Sequence, residues 1–255
     1  MKSKDSQSTL IRGFLIAERI VQAGRPLSSA YLAEELSLPK ATVHRICQQL
    51  KEEGLLRREP DGKRFVGGRR LRDLAIATLG NSVLAAPRAN ILRELSEEVG
   101  ETCNLVVLDG NEIVYLDRVE TNWPYRIHLP IGSHLPIYCT ATGKLFLANM
   151  KPASRDRLLN ALSLKAHTDN TITDLDKLRE QIKKIAADGV SMDHGEFIEG
   201  MISIAVPVIG RDHPMCMAVA IHAPSARRSM DELRQYLPAL RAAAGRMAAT
   251  DCAGE

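Results

Sequence analysis

The chain has 255 residues, 45% of them hydrophobic and 25% charged, a length that suits two domains and a composition that excludes wholesale disorder. No apolar run approaches the roughly 18 residues that a membrane helix needs, and no apolar signal core follows the N-terminus. We therefore expect a soluble, cytoplasmic protein with no membrane partner. Its five scattered cysteines form no CxxC pair, which argues against a disulfide framework or a zinc knuckle, and we expect no metal or other cofactor.

The net charge of +3 is unevenly distributed along the chain. Residues 1–72 carry 15 basic and 8 acidic side chains, a net charge of +7, whereas the other residues carry 19 and 23, a net charge of −4. A basic segment joined to a slightly acidic remainder is typical of a small nucleic-acid module attached to a second domain with another role.

The basic segment predicts three helices and a hairpin. The first helix is indicated by apolar residues at helical spacing, which are Leu10, Phe14, Ala17 and Val21. Ser28 predicts the N-cap of a short second helix, and Pro39 predicts the first residue of a third helix that runs to Gly54. A turn signal at residues 60–62 then separates two short extended segments. Together these elements predict a winged helix-turn-helix domain over residues 1–68.

The third predicted helix is apolar on one side and polar on the other. Val43, Ile46 and Leu50 are expected to pack on the first two helices. The residues expected to point outward are Lys40, Ala41, Thr42, His44, Arg45, Gln48 and Gln49. A recognition helix directs such residues into the major groove, where Arg45 can bind guanine and a glutamine can bind adenine. On the hairpin, phosphate contacts are expected from Arg57, Arg58, Lys63 and Arg64.

Two other interpretations of this polar face are weaker. A solvated helix face is the ordinary explanation of an isolated polar stripe, but this one follows two helices and precedes a basic hairpin. Aromatic residues make up 4% of the chain, and Phe65 alone lies near the hairpin, which leaves no stacking platform for RNA or single-stranded DNA. The sequence thus predicts binding to a double-stranded DNA operator.

The rest of the chain predicts a linker helix and an α+β domain. Residues 69–86 are expected to form the linker helix, with Leu71, Leu74 and Thr78 as the contact that couples the two halves. Residues 87–255 alternate helices with segments typical of an antiparallel sheet, which are 103–109, 112–120, 125–131, 202–210 and 215–223. Ser229 and Glu232 form a capping box that predicts one final helix, reaching about Ala249.

Segments in both halves resemble the IclR family of bacterial transcriptional regulators. They include "PLSSAYLAEELSLPKATVHRICQQLKEEGLL", "GETCNLVVLDGNEIVYLDRVE", "LPIGSHLPIYCTATGKLFLA" and "EFIEGMISIAVPV", in the family's order. The likeness covers nearly all of residues 9–248. It implies an N-terminal winged helix-turn-helix domain, a linker helix, a C-terminal GAF-like α+β domain that binds a small effector, and assembly into a homodimer or homotetramer.

The resemblance also implies a set of effector-binding positions. They are Ile127, Ala141, Thr142, Gly143, Asp193, Met201, Ser203, Ala220 and His222. Relatives often have serine where this chain has Ala220 and His222. A mostly apolar pocket with a few polar anchors suits a small organic acid, aromatic acids included. His222 beside Asp193 could become cationic near neutral pH and pair with a carboxylate; alternatively the two form a structural pair or do not meet.

Three other functions are alternatives. An enzyme could use Asp193, His194 and Glu196 as acid and base, or Cys139 as a nucleophile, yet the sequence contains no GxxxxGK, HExxH or GxSxG motif. A zinc site could draw on residues that lack clustered spacing, which are Cys103, Cys139, Cys216, His128, His134 and His222. An architectural DNA binder without a ligand does not explain the large second domain. We therefore predict an effector-responsive DNA-binding regulator and no enzymatic activity.

Overall fold

The computed structural model describes residues 8–59, 62–81, 85–121, 123, 129–210, 215 and 217–251. The chain divides into two compact units, Met1–Thr78 and Leu79–Glu255. This division falls inside the segment predicted as the linker helix. Among the described residues, no helix combines the length and the apolar character that crossing a membrane requires.

The N-terminal unit is a winged helix-turn-helix, as predicted. Its elements, followed by the linker helix, are α1 (Thr9–Gln22), β1 (Leu27–Ser28), α2 (Ser29–Glu35), α3 (Lys40–Glu52), β2 (Leu56–Arg58), β3 (Arg64–Gly67) and α4 (Arg69–Asn81). The strands form an antiparallel sheet in the order β1-β3-β2. The β2–β3 hairpin is the predicted wing, whereas β1 is too short for a sequence pattern to reveal.

Local signals set the bounds of these helices. The Ser28 hydroxyl accepts a hydrogen bond from the Tyr31 amide at 3.2 Å and caps α2. Pro39 occupies the N-cap position of α3, so the helix begins at Lys40, one residue after the predicted start. After α3, Gly54 has a φ of +73°, a left-handed conformation that glycine adopts without strain.

Helix α1 packs on the core of this unit with an unexpected face. Its buried residues are Gly13, Ile16, Ala17 and Ile20. Leu10, Phe14 and Val21 are instead 80%, 71% and 58% exposed. Three of the residues whose spacing predicts the helix therefore form an apolar stripe on its outer side.

The C-terminal unit is built on a six-stranded antiparallel sheet in the order β6-β5-β4-β9-β8-β7. Its helices are α5 (Ala85–Val99), α6 (Ala141–Asn149), α7 (Pro152–Ala161), α8 (Leu175–Asp188), α9 (Met230–Gln235) and α10 (Leu237–Asp251). Its strands are β4 (Thr102–Asp109), β5 (Glu112–Val119), β6 (His134–Pro136), β7 (Ser191–His194), β8 (Met201–Val208) and β9 (Met217–Pro224). The predicted α+β class is confirmed.

Helices cover both faces of this sheet. On one face α5 and α10 pack against the central strands, and on the other face lies α6, with α8 behind it. Side chains alternate between the faces, so Val106, Ala205 and Ala220 meet α6 residues in a buried apolar cluster. The pocket described below opens on this α6 face.

Several elements differ from the prediction. The sequence patterns predict neither the short strands β6 and β7 nor the weakly periodic helix α7. A single final helix is wrong: the capping box of Ser229 and Glu232 is present, but the helix is divided into α9 and α10. Pro238 explains the break, because proline has no amide hydrogen and is tolerated only in the first turn of a helix. The strand predicted over 125–131 lies mostly outside the described residues, and residues 129–131 are not in a strand.

Candidate functional site

Helix α3 presents its polar residues outward. Val43, Ile46 and Cys47 are buried in the core of the N-terminal unit. Those exposed are Lys40, Ala41, His44, Arg45 and Gln49, while Thr42 and Gln48 are partly exposed. The Arg45 guanidinium donates a hydrogen bond to Gln49 Oε1 at 3.2 Å. Because this hydrogen bond is exposed to water, breaking it costs little, and both side chains can turn to another partner.

The wing supplies further cations at the end of α3. The Arg58 guanidinium donates to Gln48 Oε1 at 3.5 Å and lies 5.0 Å from the centroid of the Phe65 ring. Arg58 and Gln48 are therefore held within the unit itself. Arg57, Lys63 and Arg64 are exposed on the hairpin, and its turn residues 60–61 lie outside the described part of the chain.

A pocket opens on the α6 face of the large sheet, where one row of side chains crosses four strands. Residues paired across antiparallel strands share a face. Asp193 on β7 is opposite Ser203 on β8. Ser203 is opposite His222 on β9, which in turn is opposite Thr102 on β4. The row thus brings together three of the predicted effector residues.

A β-bulge adds Arg118 and Tyr115 to the same face. The pairing of β5 with β4 shifts register at Leu116, so that Tyr115 is opposite Val106 and Arg118 is opposite Asn104. Strict alternation along β5 would have placed Arg118 on the other face from Tyr115. With the bulge, the Arg118 guanidinium lies 5.4 Å from the centroid of the Tyr115 ring.

The pocket combines charged, aromatic and apolar side chains. Its polar lining includes Tyr115, Arg118, Thr142, Asp193, His222 and Arg227, and its apolar lining includes Ile113, Leu129, Leu135, Phe197 and Met201. The cavity has a volume of about 30 Å³. That is room for about two water molecules, so a larger ligand requires some lining side chains to move.

Some of the predicted effector residues line this pocket, and others lie behind its lining. Thr142, Asp193, Met201 and His222 line the pocket. Four others are buried beside it without lining it, namely Ala141, Gly143, Ser203 and Ala220. Ile127 lies outside the described residues. Gly143 also has a packing role, because a Cβ there would lie 2.2 Å from the Ile137 carbonyl oxygen.

His222 is not the cation of this pocket. Burial, followed by repulsion from the charge of Arg118, lowers the pKa of its imidazole to about 3. The neutral ring instead packs edge-on to Tyr115, with 6.4 Å between the ring centroids. The prediction that His222 becomes cationic is therefore wrong. His222 is also not next to Asp193, because Ser203 on β8 lies between Asp193 on β7 and His222 on β9. The cations that line the pocket are Arg118 and Arg227.

Asp193 belongs to a buried polar cluster beneath α6. Burial raises the pKa of its carboxyl group to about 7, although the Glu196 amide and the charge of Lys144 act to lower it. Asp193 Oδ1 accepts a hydrogen bond from the Glu196 N–H at 2.7 Å. The Lys144 ammonium donates to the Glu196 carboxylate, and both side chains are buried. Because burial raises this pKa to about 7, Asp193 is partly protonated near neutral pH and can donate as well as accept a hydrogen bond.

Of the acid and base residues in the enzyme alternative, the structure brings Asp193 and Glu196 together but not His194. His194 is exposed and adjacent to Asp193 in β7, so the two side chains point to opposite faces of the sheet. Burial raises the pKa of the Cys139 thiol to about 12, which keeps it protonated at neutral pH. Across the described residues no group of three His, Cys, Asp or Glu side chains is placed to hold a metal; Cys216 and His128 lie outside that part.

Sequence reasoning misses the two pocket arginines. Arg118 is hidden because the bulge in β5 leaves no mark in the pattern of alternation. Arg227 follows β9 in a turn, where it forms part of a pair of basic residues with Arg228. A basic pair directly after a predicted strand, in the acidic half of the chain, was the one available signal.

Both units match models of a known family. The IclR helix-turn-helix domain matches residues 9–60, and the C-terminal domain of the bacterial transcriptional regulator IclR matches residues 76–249. "Probable transcriptional regulator SauR" of Cupriavidus necator is 42% identical over 250 residues, which cover 98% of this chain and 99% of that protein. KdgR of Escherichia coli is 29% identical, over 97% of this chain and 94% of its own.

Solved structures show the same architecture. A transcriptional regulator from Rhodococcus has a TM-score of 0.67 at 28% identity, covering 97% of this chain and 99% of its own. The IclR protein of Thermotoga maritima has a TM-score of 0.63 at 26% identity, covering 94% of this chain and 97% of its own. The chain therefore belongs to the IclR family, as a transcriptional regulator with an N-terminal DNA-binding helix-turn-helix domain.

Proposed function

We propose that this regulator binds a double-stranded DNA operator through α3 and the wing, and that a small organic acid bound in the sheet pocket changes its affinity for that operator. One observation carries the proposal: a single chain of this family holds both an exposed cationic helix face and a separate pocket lined by two arginines. The first suits phosphates and base edges, and the second suits a carboxylate.

The exposed side of α3 is assigned to base reading. Arg45 would release Gln49 and bind a guanine through two hydrogen bonds, while Gln49 or Gln48 binds an adenine. Around these, Lys40, Ala41, Thr42 and His44 occupy the N-terminal half of the helix, the part that helix-turn-helix proteins insert into the major groove. Phosphate contacts are assigned to the wing residues Arg57, Arg58, Lys63 and Arg64.

The pocket is assigned to an acidic effector. Arg118 and Arg227 supply positive charge, since His222 is neutral. Asp193 and the N-terminus of α6, where Thr142 lies, supply hydrogen bonds to the rest of the ligand. Ala141, Gly143, Ser203 and Ala220 then act from behind the lining as packing residues. The small cavity favours a compact organic acid, and no catalytic role is proposed.

Operator binding is assigned to a homodimer or a homotetramer. Burying an apolar side chain such as Phe14 lowers the free energy by about 1.5–3 kcal/mol, and an isolated chain does not gain this stabilisation because its Phe14 is exposed. A second copy presenting the same α1 stripe would bury both, as two-fold symmetric interfaces do. Val21 and Leu71 flank Gly67, so the stripe continues onto α4, where Leu74 is also exposed and Thr78 follows one turn later. Two recognition helices would then read half-sites about one helical turn, or a multiple of it, apart.

A selection from genomic DNA tests the proposed function. The protein is equilibrated with a genomic fragment library at fixed salt, with and without a pool of small carboxylates, and the retained fragments are sequenced. We expect one specific site whose occupancy changes with one member of the pool. Retention that no carboxylate changes would contradict the effector assignment while leaving DNA recognition intact, and retention without sequence preference would contradict both.

A further inference from the structure

Arg227 belongs at once to the pocket and to a buried ion-pair cluster behind it. The residue lines the pocket from the turn that follows β9. It also donates two hydrogen bonds to Glu101, the residue directly before β4. Glu101 itself is fully buried. The guanidinium is therefore fixed in place before any ligand arrives.

The contacts on Glu101 define the orientation of this guanidinium. Arg227 Nε donates to Glu101 Oε1 at 3.0 Å, and Nη2 donates to Oε2. This two-pronged pairing uses one edge of the planar group. Nη1, on the other edge, makes no hydrogen bond in the described part of the molecule. An anion in the pocket can approach that edge without displacing Glu101.

Trp123 holds the face of the same guanidinium. The Arg227 guanidinium lies 4.7 Å from the centroid of the Trp123 ring, a cation–π contact. With its edge on Glu101 and its face on Trp123, the group has lost most of its freedom to rotate. A fixed donor binds an anion better than a mobile one, because less side-chain entropy is lost on binding.

The neighbouring Arg228 provides an internal comparison. Its Nε also donates to Glu101 Oε1, at 3.1 Å, but Arg228 does not line the pocket. It lies instead near Glu232 and 6.0 Å from the centroid of the Tyr236 ring. Two adjacent arginines thus share one buried carboxylate, and only the first of them faces the ligand.

Resting on the proposed function, we propose that Arg227 binds the anionic end of the effector and that Glu101 and Trp123 position its guanidinium. The effector then lies across the sheet, with its anion near the start of β4 and its other end toward Asp193. Thr102 and Asp193 are three strands apart in the cross-strand row, about 14 Å between backbones. The cavity volume of about 30 Å³ leaves room for a compact acid only.

The test uses the fact that Trp123 is the one tryptophan of the chain. Its fluorescence is followed while sodium acetate, sodium succinate or sodium benzoate is added to the full-length protein at constant ionic strength. Calorimetric titration with the same three salts gives a second readout, because a substitution at Arg227 also changes the surroundings of Trp123. The variants are Arg227→Gln, Arg227→Lys and the matched control Arg228→Gln.

We expect wild type and Arg228→Gln to bind at least one of these acids with the same affinity. Arg227→Gln should lose roughly tenfold to a hundredfold, since a hydrogen bond to a charged group contributes about 1.5–3 kcal/mol. Arg227→Lys keeps the charge and should lose less. Arg227→Gln removes two hydrogen bonds to Glu101 and Arg228→Gln removes one, so both thermal unfolding midpoints should fall, that of Arg227→Gln further. Both should still unfold cooperatively, and the affinity loss confined to Arg227→Gln in the folded protein separates binding from folding.

Two outcomes would overturn these assignments, and they are distinct. If wild type binds but both Arg227 variants bind as well as Arg228→Gln, Arg227 is a structural residue and this inference is wrong while the proposed function stands. If wild type shows saturable binding to none of the three acids by either readout, the acidic-effector assignment fails and this inference fails with it.

Discussion

The charged side chains of the two units lie in opposite surroundings. In the N-terminal unit Lys40, Arg45 and Lys63 are exposed to solvent. In the C-terminal unit Glu101 and Lys144 have no exposed surface and are bound to partners of opposite charge. Exposed cations can exchange water for phosphate at little cost, whereas buried charges are already committed to their partners. Single changes of these charged side chains should therefore leave the folding of the N-terminal unit intact but destabilise the C-terminal unit.

The largest effect is expected for Lys144→Met. The substitution leaves the Glu196 carboxylate buried without its ammonium, and the free energy of unfolding should fall by about 3–5 kcal/mol. Urea denaturation measures it, with the exposed Lys51→Met as control, which should change the free energy by no more than about 0.5 kcal/mol. The double variant Lys144→Met/Glu196→Leu should recover most of the loss. If Lys144→Met and Lys51→Met both changed the unfolding free energy by the same small amount, the proposed difference between buried and exposed charges in the two units would be wrong.

Asp193→Asn should change how stability depends on pH. The pKa of the Asp193 carboxyl group is about 7 in the folded chain, against an ordinary value of 3.8. Between pH 3.8 and pH 7 the folded chain therefore keeps a proton on this group that the unfolded chain has lost. Stability from this group is therefore lost as pH rises through that window. Relative to Asp193→Asn, the wild type should lose on the order of 2–4 kcal/mol from about pH 4 to pH 7.

Urea denaturation at a series of pH values measures this difference. His222, with its pKa lowered to about 3, contributes the opposite slope, but it is present in both proteins and cancels between them. Parallel stability curves for wild type and Asp193→Asn would show that Asp193 titrates normally and is not part of a buried cluster.

In the N-terminal unit, Arg45→Ala should weaken operator binding by about 1–3 kcal/mol and relax specificity at one base pair. Lys63→Ala should weaken binding to all sequences alike and reduce the salt dependence, because a phosphate contact carries no sequence information. Neither change should alter the unfolding free energy noticeably, since both side chains are exposed. Fluorescence anisotropy with operator and scrambled duplexes measures both effects; identical specificity profiles for the two variants would remove Arg45 from base reading.

The smallest effect on folding is expected for Phe14→Asp. Phe14 is 71% exposed, so the unfolding free energy of the N-terminal unit should change by no more than about 0.5 kcal/mol. Self-association should nevertheless weaken, because the charge would be buried against a second α1 stripe. Analytical ultracentrifugation compares the variant with Ser8→Asp, which adds a charge at the exposed N-cap of the same helix. Unchanged association in Phe14→Asp would contradict the proposed interface.

Sequence patterns predict the N-terminal unit better than the C-terminal unit, for a physical reason. The caps, turns and amphipathic spacing that define α2, α3 and the wing act over a few residues. The pocket instead depends on pairing between distant strands and on the bulge at Leu116, which reverses the face of Arg118. Burial likewise decides that His222 is neutral and Asp193 partly protonated, and burial depends on the whole domain.

Regulation by an effector requires that the DNA-binding surface and the sheet pocket be coupled, and this coupling can be measured. Operator affinity is determined by fluorescence anisotropy with and without a saturating carboxylate chosen by the genomic selection, and carboxylate affinity is determined with and without saturating operator. If the two sites are coupled, each ligand changes the affinity for the other by the same factor, different from one, because binding free energies are reciprocally linked. Affinities that are the same in the presence and absence of the other ligand would contradict the proposed regulation.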